Sequence, residues 1–392
     1  MKVALVFDDA FNRPDGVQEY MRALAVYLAR QGHVVDVLCS GDGGQPSAGV
    51  RAVHSLTRNV GVEYNGNRVR TPLPASRRRI RALLDAERYD VIHVMSPHSP
   101  VFAARVVAQA RKVEARKLEA RLRGGGAPWS VRIVGTFTIL PDGGSSARGI
   151  RFLGRLLRRN LAHFDAFCGL SGPASDLVND AYGLPSTPIP APVDVAALRA
   201  QAVARPWQNS APADRVVIAF MGRMVERKGV LELVAALAAL PAEVRRQVLV
   251  RLGGRGPLLE QVRAAVSAAG LEETVSLEGF IADEDKGGVL AAADIAVFPA
   301  TGGESFGIVR IEAMAAGAQA VLAGNNPGYT WTIDDPDAVI DARDTRAFAA
   351  TLEYLITDAQ ARAELHRRQE SRLAAFDLPV VGAQIEELYG WR

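Results

Sequence analysis

Two glutamates, Glu304 and Glu312, stand eight positions apart in the run Gly302-Gly303-Glu304-Ser305-Phe306-Gly307-Ile308-Val309-Arg310-Ile311-Glu312-Ala313-Met314-Ala315-Ala316-Gly317. Ile308, Ile311 and Ala315 recur at helical spacing, Ser305 is a capping residue type and Gly317 a helix stop, so the run predicts a helix opened by Ser305. Glu304 then lies in the turn ahead of the helix, with Glu312 roughly 10 Å further along. A helix start offers unpaired N–H groups and partial positive charge, which suit a phosphate, and carboxylates beside it can accept from hydroxyl-rich groups. Two solvated surface glutamates would show the same spacing, so the run alone leaves both readings open.

A second loop adds cations. After the apolar run Val216 to Met221 comes Gly222-Arg223-Met224-Val225-Glu226-Arg227-Lys228-Gly229. Arg223 brings a planar fork and Lys228 a mobile point charge, and together they could clamp a diphosphate. Solvated loop cations remain the alternative for that segment taken singly. Near the N-terminus, Pro14-Asp15-Gly16-Val17-Gln18 places Gly16 where backbone N–H groups could approach an anion ahead of a helix from Val17 to Gln31.

Strand-like and helix-like runs alternate around these loops. Strands are expected near 2–7, 33–39, 91–94, 131–137 and 166–171, and again near 216–222, 248–253, 275–280, 295–299 and 320–323. Between the two sets the chain is rich in proline, including Pro185, Pro188, Pro190, Pro192, Pro206 and Pro212. The expected architecture is α/β, with two doubly wound Rossmann-like domains facing each other across a cleft. The first, at 1–190, would serve the acceptor. A linker covers 191–213, a donor-binding domain 214–372, and a C-terminal helix within 373–392 returns to the first domain.

At 392 residues and 48% hydrophobic content the chain can build two cores of this kind. Its two cysteines, Cys39 and Cys168, lie far apart with no Cys-x-x-Cys, which argues against a disulfide framework and a zinc site and fits a reducing cytoplasm. No leader pattern or membrane-spanning apolar run is evident, so any membrane contact is expected to be peripheral, on the inner face. The first 200 residues carry 27 Lys+Arg against 17 Asp+Glu, and the rest 19 against 26. The basic excess gathers at Arg77, Arg78, Arg79 and Arg81, at Arg111 to Arg123, and from Arg148 to Arg159, where aliphatic residues interleave. Such segments suit an anionic membrane, or are ordinary amphipathic helices with solvated arginines. Stacking aromatics and nucleic-acid motifs are absent, so no nucleic acid is expected.

Gly222-Arg223 with Lys228-Gly229, the Gly253-Gly254-x-Gly256-Pro257 turn, Gly279-Phe280, Ala293-Asp294 and Glu304-Ser-Phe-Gly-Ile with Glu312-Ala-Met-Ala-Ala-Gly follow the order typical of one family. The chain resembles the retaining glycosyltransferases of family 4 (group 1), which have the GT-B fold, and within them most resembles phosphatidylinositol mannosyltransferases that use GDP-mannose. The resemblance implies that Arg223 and Lys228 bind the donor diphosphate, Glu304 contacts the donor sugar and Glu312 holds the ribose. Phe306, Gly307, Ile308 and Val309 would present backbone, with Gly16 approaching from the other domain. Asp283 and Lys286 would contact guanine, the carboxylate accepting from N1–H and N2–H₂ and the lysine donating to O6. Glu304, Arg223 and Lys228 are the implied catalytic set. No metal or other cofactor is implied beyond the nucleotide-sugar donor, and the acceptor is a lipid or lipid-linked group.

Five positions depart from the pattern. Thr138 stands where many relatives have a histidine, Asp15 replaces a glycine, Ala191-Pro192-Val193-Asp194 replaces Asn-Gly-Val-Asp, and Asp9 takes an aromatic position. His93 and His98 follow a strand on the expected acceptor side. Three alternatives stand beside the main reading. One is a UDP-sugar enzyme acting on a soluble glycan or small molecule, and another is a non-catalytic nucleotide-sugar sensor. An NAD-dependent dehydrogenase is disfavoured because Gly-x-Gly-x-x-Gly does not follow the first strand.

Overall fold

The computed structural model describes the chain except residues 14, 65–66, 126, 141–156, 208–214 and 392. It divides into two compact units. The described residues of the first unit are 1–139, 157–192 and 378–391, and the second takes in 193–377.

In the first unit a seven-stranded sheet has the order β3-β2-β1-β6-β7-β8-β9. Its strands are β1 (Lys2–Phe7), β2 (Val34–Ser40), β3 (Ala52–Thr57), β6 (Val91–Met95), β7 (Arg132–Phe137), β8 (Ala166–Gly169) and β9 (Thr187–Pro188). An antiparallel pair, β4 (Asn59–Tyr64) with β5 (Asn67–Pro72), is inserted between β3 and β6. The sheet is parallel throughout its described pairings. That is why β1 and β6 read as continuous apolar runs: Val3, Leu5, Val6, Val91, Ile92 and Val94 are all fully buried.

The second unit repeats the plan in a six-stranded sheet of order β12-β11-β10-β13-β14-β15. These strands are β10 (Val216–Met221), β11 (Val248–Gly253), β12 (Val275–Gly279), β13 (Ile295–Phe298), β14 (Ala320–Gly324) and β15 (Val339–Ile340). The order reverses between β10 and β13, which pair directly through Ile218 with Ile295. In sheets of this kind, ligands gather at the carboxyl ends of strands beside such a reversal.

One segment differs from the expected boundaries. The stretch expected as a linker contains helix Val195–Ala204, which belongs to the second unit; Asp194 caps it, accepting from the Ala197 N–H at 3.0 Å, and Leu198 is buried. Helix Ala359–Leu373 stays with that unit, and only helix Leu378–Leu388 joins the first. There the Leu388 carbonyl accepts from Arg132 Nε at 3.1 Å, and the Tyr389 hydroxyl meets His93 Nδ1 at 2.8 Å. Among the described residues no helix is long and apolar enough to cross a membrane.

A buried carboxylate fixes one end of the first sheet. Asp36 on β2 has no exposed surface and accepts from Arg51 Nε at 2.9 Å and from the Tyr89 hydroxyl at 2.7 Å, with His54 Nε2 at 3.4 Å. Burial alone would raise its pKa, but the hydrogen bonds from His54, Arg51 and Tyr89 outweigh it and hold the carboxyl below the ordinary range. A carboxyl depressed in the folded state contributes stability at neutral pH that is lost as pH falls. Asp36→Ala is therefore expected to cost about 2 kcal/mol at pH 7. The gap from the native chain should narrow below roughly pH 4, as denaturant unfolding across pH would show; a pH-independent gap would contradict the assignment.

Candidate functional site

The loops after β10 and β13 are neighbours because the strands are, and the Thr301 N–H donates to the Arg227 carbonyl at 2.9 Å between them. The first loop holds the 3₁₀ turn Glu226–Lys228 and the second carries Glu304. Glu304 is buried, 8% exposed, and it ion-pairs with both Arg227 and Lys228, the Lys228 Nζ lying 2.8 Å from Oε1. Burial opposes the Lys228 ammonium, yet Tyr329 and Glu304 outweigh it and raise its pKa. Lys228 is thus charged at neutral pH.

Glu312 has its own cation. It is 7% exposed, and Lys286 Nζ lies 2.9 Å from its Oε1. Lys286 opens helix Lys286–Ala291 after β12, and this helix and Ile308–Ala316 both pack on Val195–Ala204. The Asp283 carboxylate, half exposed on the loop before it, is 3.8 Å from the same ammonium. Lys286, expected on guanine, is therefore held by Glu312.

The helix of the glutamate run starts later than its sequence predicts. It spans Ile308–Ala316, and the position ahead of it is Gly307 with φ 77° and no side-chain cap. Ser305 does not cap it, because the left-handed Gly307 turns the chain in after Ser305 has passed. Glu312 is consequently the fifth helical residue, about 6 Å up by rise. A side chain at Gly307 is barred twice, by its φ and by the Tyr329 ring, whose Cε1 would lie 2.2 Å from an added Cβ. The Phe306 ring is buried beside Phe376, with centroids 5.8 Å apart, and its carbonyl accepts from the buried Arg310. Ile308 and Val309 are half-buried at the first turn, where N–H groups have no intrahelical acceptor.

Other expected residues fall less tightly into place. Arg223, at the end of β10, is exposed and among the described residues makes no ion pair. Gly16 opens helix Gly16–Arg30, but its N–H donates to Asp15 Oδ1 at 2.8 Å. The amide expected to meet an anion is thus engaged by the chain's own carboxylate. The Thr138 hydroxyl meets Ser96 Oγ at 2.5 Å. His93 is fully buried, with Nε2 2.6 Å from Thr136 Oγ1, and burial pulls its pKa down to about 3. His98 stacks on Phe137, and burial lowers its pKa to about 4. Both rings are neutral near pH 7.

The acidic pairs are engaged within the chain. Asp8 accepts from the Ala103 N–H at 2.6 Å and Asp9 from Asn59 Nδ2 at 2.8 Å, while Asp335 and Asp334 pair with Arg368 and Arg372. Among the described residues no group of three or more His, Cys, Asp or Glu side chains is placed to hold a metal.

Of the basic clusters, Arg77, Arg78 and Arg79 are exposed on helix Arg77–Glu87, whose Ile80 and Leu84 are buried; Arg81 is half-buried. Arg148, Arg151 and Arg155 lie outside the described residues. Arg158 and Arg159 are exposed, but Leu157 and Leu161 beside them pack in the core with Phe137, Phe167 and Val178. Sequence reasoning passed over Arg227, Arg310 and Tyr329. The only signal for Arg227 was its place beside Lys228.

Comparison with known proteins identifies the family. The family "Glycosyltransferase Family 4" matches residues 14–197 and "Glycosyl transferases group 1" matches 204–372. The chain is 30% identical to phosphatidyl-myo-inositol mannosyltransferase of Mycolicibacterium smegmatis, over 99% of this chain and 93% of that protein. It is 28% identical to the GDP-mannose-dependent alpha-(1-6)-phosphatidylinositol monomannoside mannosyltransferase of the same organism, covering 92% and 91%. Among solved structures it resembles Anabaena Alr3699/HepE in complex with UDP and glucose, with TM-score 0.73, 20% identity and full coverage of both chains. The fold is that of the GT-B glycosyltransferases, and the chain belongs to glycosyltransferase family 4, group 1.

Proposed function

We propose that this glycosyltransferase transfers mannose from GDP-mannose to a lipid or lipid-linked acceptor, phosphatidylinositol first among them, with retention at the anomeric carbon. The observation that carries the reading is the pairing of both glutamates of the run with loop cations: Glu304 with Arg227 and Lys228, Glu312 with Lys286. Two relatives with similar full-length coverage are named as mannosyltransferases of inositol lipids, and one name specifies GDP-mannose.

In this reading Glu304 accepts from hydroxyls of the donor sugar and Glu312 from the ribose. The bond from the anomeric carbon to the diphosphate oxygen breaks, a bond to the acceptor oxygen forms on the same face, and the acceptor hydroxyl's proton passes to the departing diphosphate. Negative charge gathers on the departing diphosphate. Arg223, Lys228 and the start of helix Ile308–Ala316 supply the stabilisation, with the backbone of Phe306, Gly307, Ile308 and Val309 lining the approach. No metal is assigned to this step. Asp283, exposed at the loop end, is the residue assigned to guanine, while Lys286 acts chiefly by fixing Glu312.

The exposed face of Arg77, Arg78 and Arg79 supports peripheral contact with an anionic membrane. Replacing all three by glutamine should weaken sedimentation with anionic liposomes by about 100-fold at low salt, at about 1 kcal/mol for each arginine. Salt-insensitive binding in the native chain would contradict this contact.

Transfer assayed by product mass with GDP-mannose and a lipid extract tests the main reading. Glu304→Ala, Arg223→Ala and Lys228→Ala should each lower kcat/KM by at least about 100-fold; near-native turnover in all three would place the site elsewhere. Calorimetry should show GDP binding more tightly than UDP, and the reverse order would favour a UDP-sugar donor. Tight GDP binding with no transfer to any acceptor would favour the sensor.

A further inference from the structure

Arg310, the third residue of helix Ile308–Ala316, has no exposed surface. No carboxylate among the described residues forms an ion pair with it. Its Nη2 donates to the Phe306 carbonyl and the Thr332 hydroxyl, and its Nη1 to the Tyr329 carbonyl at 3.4 Å. The guanidinium lies 3.7 Å from the centre of the Tyr329 ring, and Nε has no partner. Burial lowers its pKa to about 10, against the opposing pull of Tyr329 and Glu304, so it stays charged at neutral pH. A buried charge without a counter-ion costs stability, and an apolar residue of similar length would serve a core better.

What the side chain joins gives the cost a purpose. The loop Glu304–Gly307 lies directly on helix Pro327–Ile333: a Cβ on Gly328 would meet the Glu304 carbonyl at 2.0 Å, as one on Gly307 would meet Tyr329. Asn326 caps that helix, accepting from the Tyr329 N–H at 3.1 Å, while its Nδ2 donates to the Ala300 carbonyl at 3.1 Å beyond the end of β13. Arg310 donates to both layers, to Phe306 in the loop and to Thr332 and Tyr329 in the helix.

We propose that Arg310, stacked on Tyr329, is a positioning residue for the sugar-nucleotide loop: it fixes the Phe306 carbonyl and so holds the Glu304–Gly307 backbone with the Glu304 carboxylate against Arg227 and Lys228. The proposal rests on the reading of this loop as the donor site. It assigns Arg310 no contact with substrate.

The test compares Arg310→Met, of similar length and uncharged, with Arg310→Lys, which keeps the charge and a donor. In the unliganded full chain, amide hydrogen exchange across Ser305 to Ile308 should rise at least about tenfold in Arg310→Met, while the unfolding temperature stays at or above the native value. Turnover of GDP-mannose should fall at least about tenfold, mainly in kcat, with GDP affinity within about threefold of native. Arg310→Lys should recover part of both losses. Unchanged loop exchange overturns the proposal whatever the activity. A rise spread through the second unit with a lower unfolding temperature also overturns it, since that marks a purely structural role. If the native chain turns over no nucleotide sugar, the functional reading fails, and exchange still decides whether Arg310 holds the loop.

Discussion

A carboxylate removed from water must meet cations or lose its charge, and Glu304 meets two. Its pairing with Arg227 and Lys228 binds the loop after β13 to the loop after β10, and the rest of the second unit is arranged to make that meeting possible. Parallel neighbours in the sheet deliver both loops to the same edge. Gly307 then turns the chain into its helix without a side chain that would strike Tyr329. Around the same point Lys228, Glu304 and Arg310, from two loops and a helix, all act electrostatically on the buried Tyr329.

Glu312 repeats the device with Lys286. In each case a lysine with little exposed surface is the counter-ion of a buried glutamate. The cations serve the chain as counter-ions, Arg227 and Lys228 for Glu304 and Lys286 for Glu312. In the proposed reading Lys228 would then stabilise the departing diphosphate as a preorganised charge.

Much of this was legible in the sequence. Continuous apolar runs such as Val216 to Met221 announced the parallel strands, because both faces of such strands are covered. Strands β3 to β5 were not anticipated: His54 and Ser55 interrupt β3, and the Asn65-Gly66 dipeptide between the alternating runs of β4 and β5 was the available hairpin signal. The glutamates and Lys228 stood out by motif. Their partners did not, since Lys286 and Glu312 are 26 positions apart and meet only through tertiary packing. Ser305 looked like a cap because residue type does not reveal the φ of Gly307. Nothing in the sequence marks Arg310 as buried; its hydrogen bonds run to the loop at Phe306 and to helix Pro327–Ile333, 19 and 22 positions away at Tyr329 and Thr332.

In the proposed reading the two glutamates embrace the two sugars of one donor. A structure of the chain with an intact nucleotide sugar tests it most directly. Donor-sugar hydroxyls are expected within about 3 Å of the Glu304 carboxylate and ribose hydroxyls equally close to Glu312. A nucleotide sugar bound with both carboxylates still engaged only by Arg227, Lys228 and Lys286 would contradict it.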